Sequence, residues 1–188
     1  MRIVSGTLRG RTVKAVPGKK TRPTLDKVKE SVFNALGQYF TGGIGLDLYA
    51  GSGNLGIEAI SRGLDSCVFI DRDFLAHQVI KDNIKTLNIE SQCEIFKMDS
   101  FKALTMLSNK KYQFDYVFLD PPYQKQKINE VLTKLEDYDL LNDEATIIVE
   151  CLKESELLVK YKGLQLEKEY IYGITKISIY KKCGDRIE

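Results

Sequence analysis

Apolar positions along this chain follow first one period and then another. Residues 2 to 16, RIVSGTLRGRTVKAV, alternate in a way that predicts a small β-hairpin with Gly6 and Gly10 at its turns. From Thr24 the spacing becomes helical. Leu25, Val28, Val32, Leu36 and Tyr39 recur on one stripe, Thr24 is placed to cap it, and Gly42-Gly43 ends it. Beyond that point short apolar runs alternate with amphipathic stretches. Strands are predicted at 44–50, 67–71, 93–99, 114–120 and 145–151, with helices near Asn54, Asp73, Ser100 and Ile128. In the helix after Asp73, the inward face is predicted to carry Leu75, Val79, Ile84 and Leu87. LQLEKEYIYG and ITKISIYKK flank Gly173 as two closing antiparallel strands.

Near-continuous apolar strands separated by helices predict a mostly parallel sheet covered on both faces. The expected architecture is therefore α/β: one doubly wound, Rossmann-like domain over 24–188 with a C-terminal antiparallel hairpin. A basic N-terminal β-hairpin arm over 1–23 completes it. At 188 residues the chain is long enough for one such core.

Charge adds a second theme. The net charge is only +2, yet residues 1 to 23 hold Arg2, Arg9, Arg11, Lys14, Lys19, Lys20 and Arg22 and no acid, leaving −5 for the remainder. A +7 arm on a mildly acidic body predicts a polyanionic partner met by one end of the molecule. Four scattered cysteines without a C-x-x-C pair argue against a disulfide framework or a zinc site and for a reducing cytoplasm. No apolar stretch approaches a membrane span and no metal is expected. His77, the single histidine, lies in a helical pattern and reads as a solvated surface residue.

The first predicted strand runs into DLYAGSGNLG, residues 47 to 56. Gly51 and Gly53 fall at the strand-to-helix turn, where small residues let the backbone approach a nucleotide closely. Tyr49, Ala50 and Ser52 belong to the same turn. Asp71 ends the second strand, beside Arg72, and is placed to accept hydrogen bonds from ribose hydroxyls. Asp47, just before the turn, suits a cationic ligand such as an α-amino group and disfavours a pyrophosphate. That points to S-adenosylmethionine in preference to NAD. Asp99 ends the third strand between Met98 and Ser100; it could bond an adenine amine while Met98 packs the ring. All three acids fall at carboxyl ends of successive strands, where the ligand crevice of such folds lies.

The fourth strand ends in FLDPPYQ. Two prolines stop a ladder and stiffen the corner. Asp120 and the carbonyl of Pro121 can together hold both N–H bonds of an exocyclic amine and steer its lone pair toward a methyl donor. Pro122 removes a competing donor, and Tyr123 can stack on the base, worth about 1–3 kcal/mol. The amine needs no strong base before attack, because its nitrogen becomes acidic once methylated.

D-P-P-Y downstream of A-G-S-G resembles the amino-methyltransferases. RIVSGTLRGR, TRPTLDKVKESVFN, LDLYAGSGNLGIEAISRG and VFLDPPY together resemble the bacterial 16S ribosomal RNA guanine-N2 methyltransferases that act on guanine 966. The resemblance implies a class I methyltransferase fold, S-adenosylmethionine as cofactor and the small ribosomal subunit as partner. It places Asp47, Gly51, Gly53, Asp71 and Asp99 at the cofactor and Asp120 to Tyr123 at the target base. Arg11 and the segment Arg22, Pro23, Thr24 match segments that the family places near the crevice and the RNA; from the basic arm Arg9, Lys19 and Lys20 are expected to join them, and the protein is expected to be monomeric and cytoplasmic. Adenine-N6 DNA methyltransferases and protein glutamine methyltransferases use similar corners. The former often carry a separate target-recognition region for which this chain has little room, and the latter typically show Asn at the first position. A non-catalytic RNA-binding assembly factor on the same fold is the reading from another class.

Overall fold

The computed structural model describes residues 1–18, 25–122 and 127–184. Lys19, Lys20, Arg22, Pro23, Thr24 and Tyr123 lie outside the described residues. Helix α1 (Leu25–Leu36) precedes an alternation of β1 (Ile44–Asp47), α2 (Asn54–Ser61), β2 (Ser66–Asp71), α3 (Phe74–Leu87), β3 (Cys93–Lys97), α4 (Ser100–Asn109), β4 (Phe114–Leu119), α5 (Ile128–Asp137) and β5 (Leu141–Leu152). Strands β6 (Lys160–Tyr161), β7 (Leu164–Tyr172) and β8 (Thr175–Lys182) close the chain.

Among the described residues the sheet runs β3-β2-β1-β4-β5-β8-β7-β6. The first five strands pair in parallel, and β8 pairs antiparallel with β5 and β7. Chain order reverses between β1 and β4, which makes that junction the switch point. Alternate strand residues feed two cores. Val117, Leu119, Ile147 and Val149 pack with α4 and α5, whereas Phe69, Phe118, Ile148 and Ile177 pack with α1, α2 and α3. The doubly wound, mostly parallel sheet with its C-terminal antiparallel hairpin is as the sequence predicts.

Three details differ from the pattern reading. In helix α3, Ile84 and Leu87 are buried as expected and Ala76, Ile80 and Asn83 join them, while Val79 is half-buried and Leu75 is 51% exposed. Helix α1 ends at Leu36 rather than running on to Tyr39; Gly37 and Gln38 take left-handed backbone and leave Tyr39 exposed. The N-terminal hairpin is minimal, a single antiparallel bridge between Arg2 and Thr12. Across it the N–H groups of Ile3, Gly10 and Val13 donate to the carbonyls of Arg11, Ile3 and Met1, whereas the amides of Val4 and Ser5 donate to the Glu58 carboxylate at 3.0 and 3.1 Å and Thr7 N–H donates to the Ser61 carbonyl. Residues 1 to 16 are thus strapped onto α2, with Ile3, Val13 and Val16 buried.

Candidate active site

Each strand end delivers its acid to one cavity. A crevice of about 1210 Å³ opens at the carboxyl ends of the parallel strands. Asp47, Tyr49, Ala50, Gly51 and Ser52 border it, as do Asp71 and Arg72 from β2 and Met98, Asp99 and Ser100 from β3. Asp120, Pro121 and Pro122 enter it from β4. The residues predicted for the cofactor and the target base that lie within the described structure converge there, with one exception. Gly53 sits behind the turn and does not line the crevice.

The two turn glycines serve different ends. Gly51 has φ +57, and nothing stands within 4 Å of where a Cβ would project. Its backbone faces open space, as close approach of a ligand requires. Gly53 caps α2 with φ +83, and a Cβ there would meet Ile57 Cδ1 at 3.1 Å. Its need for glycine is conformational and internal.

The acids are held by backbone amides. Asp71 accepts from Gly51 N–H at 2.8 Å through Oδ2 and from Asp73 N–H at 2.9 Å through Oδ1, which locks the turn to the second strand. Asp99 Oδ1 caps α4 through Phe101 N–H (3.0 Å) and Lys102 N–H (3.3 Å). Asp47 is 1% exposed and accepts from Gly56 N–H at 3.1 Å. Burial pushes its pKa up to about 7; the Gly56 bond works against that, while Asp120 and Asp71 add like-charge repulsion. Tyr49 is likewise pushed up by burial. A cationic group entering beside Asp47 would relieve this strain.

Several bordering residues escaped the motif reading. Lys29 on α1 is 2% exposed, and its ammonium donates to Asn54 Oδ1 (2.9 Å) and the Arg2 carbonyl (2.7 Å) and pairs with Glu58 (3.1 Å). The signal was present: lysine occupies the apolar stripe between Val28 and Val32. Asn83 donates to the Ser52 and Lys14 carbonyls and accepts from Lys14 N–H, tying the glycine turn to the N-terminal strap. Glu150 on β5 and Tyr172, Ile174 and Thr175 at the β7–β8 hairpin complete the rim. Of the predicted RNA contacts, Arg9 and Arg11 are exposed on the strap. Arg11 donates to the carbonyls of Thr86 (2.6 Å) and Leu87 (3.3 Å) at the end of α3.

Parallel strands with a switch point between β1 and β4, a glycine turn facing the crevice and the C-terminal antiparallel strands are the fold of the class I methyltransferases. Escherichia coli yhhF, provisionally named a methyltransferase, superposes with TM-score 0.83 at 32% identity over 97% of this chain and 98% of its own. Residues 1–181 match the family described as conserved hypothetical protein 95, and the chain belongs to that family. Bacillus subtilis YlbH, provisionally named an rRNA methyltransferase, is 47% identical over 98% of this chain and 100% of its own. Ribosomal RNA small subunit methyltransferase D of Haemophilus influenzae is 35% identical over 96% of this chain and 93% of its own.

Proposed function

We propose that this chain methylates the exocyclic N2 amine of a guanine in small-subunit ribosomal RNA, with S-adenosylmethionine as the methyl donor. The observation that carries the reading is the single crevice bordered by both Gly51 and the Asp120-Pro121-Pro122 corner. A cofactor turn and an amine-holding corner would have no reason to share a cavity in a binding module. The names of the Haemophilus and Bacillus relatives support rRNA as the substrate class.

The residues fit the cofactor. Gly51 presents backbone that a Cβ would otherwise crowd, and buried Asp47 offers a carboxylate to an ammonium group. Asp71 would meet the ribose, and Met98 and Asp99 the adenine. When bound, S-adenosylmethionine supplies an electrophilic methyl group; orientation and electrostatics come from the chain. Asp120 and the Pro121 carbonyl would each accept one N2 hydrogen, holding the amine with its lone pair toward the methyl. The hydrogen bonded to Asp120 leaves as a proton once the nitrogen is methylated. Tyr123 would stack on the base. Arg2, Arg9 and Lys14, all exposed on the strap, would meet phosphates together with Lys19, Lys20 and Arg22. Arg11 and the Arg22-Pro23-Thr24 segment would frame the RNA entrance.

Incubation with methyl-labelled S-adenosylmethionine and 30S particles, naked small-subunit RNA, DNA or release factors, followed by mapping of the labelled group, tests the reading. Label on guanine N2 of the RNA is expected. Label only on DNA adenine or protein glutamine, or none anywhere, overturns it.

A further inference from the structure

Methylation at N2 leaves a second donor of guanine unaccounted for. The Watson–Crick edge presents O6 as acceptor, then N1–H and the N2 amine as neighbouring donors. With Asp120 and the Pro121 carbonyl on the amine, N1–H also needs an acceptor, because a buried donor without one costs about 1–3 kcal/mol.

The sheet supplies a candidate at the right level. Phe118 of β4 is paired with Ile148 of β5 in parallel register. Both pack into the core on the α1 side. Asp120 and Glu150 each lie two residues further along, so the alternation of side chains places both on that same face and at the same height. Adjacent strands stand about 4.8 Å apart. Ile177, the β8 partner of Glu150, shares the face, and Ile148, Glu150, Asp120 and Ile177 all border the crevice. Glu150 is half-buried there.

We infer that Glu150 is the specificity-determining residue for guanine, its carboxylate accepting N1–H while the β4 corner holds N2. This rests on the methylation reading above. An ionised carboxylate only accepts hydrogen bonds. Adenine, whose N1 is an unprotonated acceptor, would set lone pair against lone pair and be rejected, as a site built around a donor rejects an analogue lacking it. The same carboxylate thereby separates a guanine-N2 enzyme from adenine-N6 enzymes with a similar corner.

The test compares two RNAs, assembled by ligation, that carry either guanine or 2-aminopurine at the mapped target. Both bases keep the 2-amine, and only guanine has N1–H and O6, so the part of the preference that the Glu150 variants remove is the part owed to N1–H. The wild-type protein is expected to favour guanine by about 10–100-fold in kcat/KM, the range set by one unsatisfied buried group. Glu150→Gln, whose amide can also donate to a bare N1, is expected to lower that preference at least tenfold. Glu150→Ala is expected to erase it while S-adenosylmethionine binding, followed by calorimetry, is retained. Should either variant be too slow to assay, competition of the two RNAs for the crevice by filter binding reads the same preference. Wild-type turnover of both RNAs at equal efficiency, or a preference unchanged in the Glu150 variants, overturns this inference and leaves the methylation reading standing. Failure of the wild-type protein to methylate either RNA, both bare and reconstituted into 30S particles, overturns that reading and this inference with it.

Discussion

Two groups of charge among the described residues are built on opposite plans. Around α2, Glu58 is fully buried and meets Lys29 Nζ at 3.1 Å, Arg62 Nε at 2.9 Å and two backbone amides of the strap. Arg62 also donates to the Gln38 carbonyl and stacks 4.7 Å from the centre of the Phe33 ring. Both signs are present and geometry is close on every side. At the strand ends, Asp47, Asp71, Asp99 and Asp120 share one sign, and Asp47 meets a backbone amide in place of a cation. The first cluster is complete without any further molecule. In the second the cost falls on Asp47, whose pKa burial and the neighbouring Asp120 and Asp71 push up to about 7.

Breaking each cluster should therefore have opposite consequences. Glu58→Ala removes the hub of the balanced cluster and leaves two buried cations unpaired. Denaturant titration is expected to show a loss of about 3–5 kcal/mol, a large part of a typical domain stability. An unchanged midpoint would mean the network contributes nothing. Asp120→Ala in the one-signed cluster should lower kcat by about 10²–10³-fold, the scale for one preorganised polar contact. Its stability and its affinity for S-adenosylmethionine are expected to persist, and intact turnover would remove the corner from the mechanism.

Asp47→Asn sharpens the contrast through pH. The native carboxyl titrates near pH 7 and the unfolded one near 3.8, so between those values the folded protein holds a proton that the unfolded chain has released. Stability from this group is present below pH 4 and is lost as pH rises toward 7. The Asn variant should lack that decline, giving a higher melting temperature than wild type at pH 8 and weaker cofactor binding by calorimetry. Parallel pH profiles for the two proteins would contradict the assignment. Smaller effects are expected on the strap. Arg11→Ala should cost about 0.5–1 kcal/mol through the carbonyls ending α3. Arg9→Ala should leave stability unchanged and reduce the salt dependence of RNA binding by about one counterion.

The reason the two clusters were unequally legible lies in the distance between their parts along the chain. The strand-end acids are each announced by a local motif: a glycine turn after Asp47, a strand stop at Asp71, prolines after Asp120. The balanced cluster joins residues 2, 4, 5, 29, 54, 58 and 62, whose meeting no short segment specifies. Lysine within the apolar stripe of α1 was its one visible trace. The start of α3 has a similar origin: apolar spacing places Leu75 inward, whereas Ala76 and Ile80 are buried there and Asn83 bonds both the strap and the glycine turn.

By itself the sequence determined the order of strands and helices, the closing hairpin and the acids at the strand ends, because each follows from spacing and turn chemistry within a few residues. Only the tertiary structure decided that the basic N-terminal segment is strapped to α2, that Gly53 faces inward while Gly51 faces the crevice, and that Glu150 stands level with Asp120. Those relations depend on strand register and on which faces pack together, and register is fixed by the whole sheet closing at once.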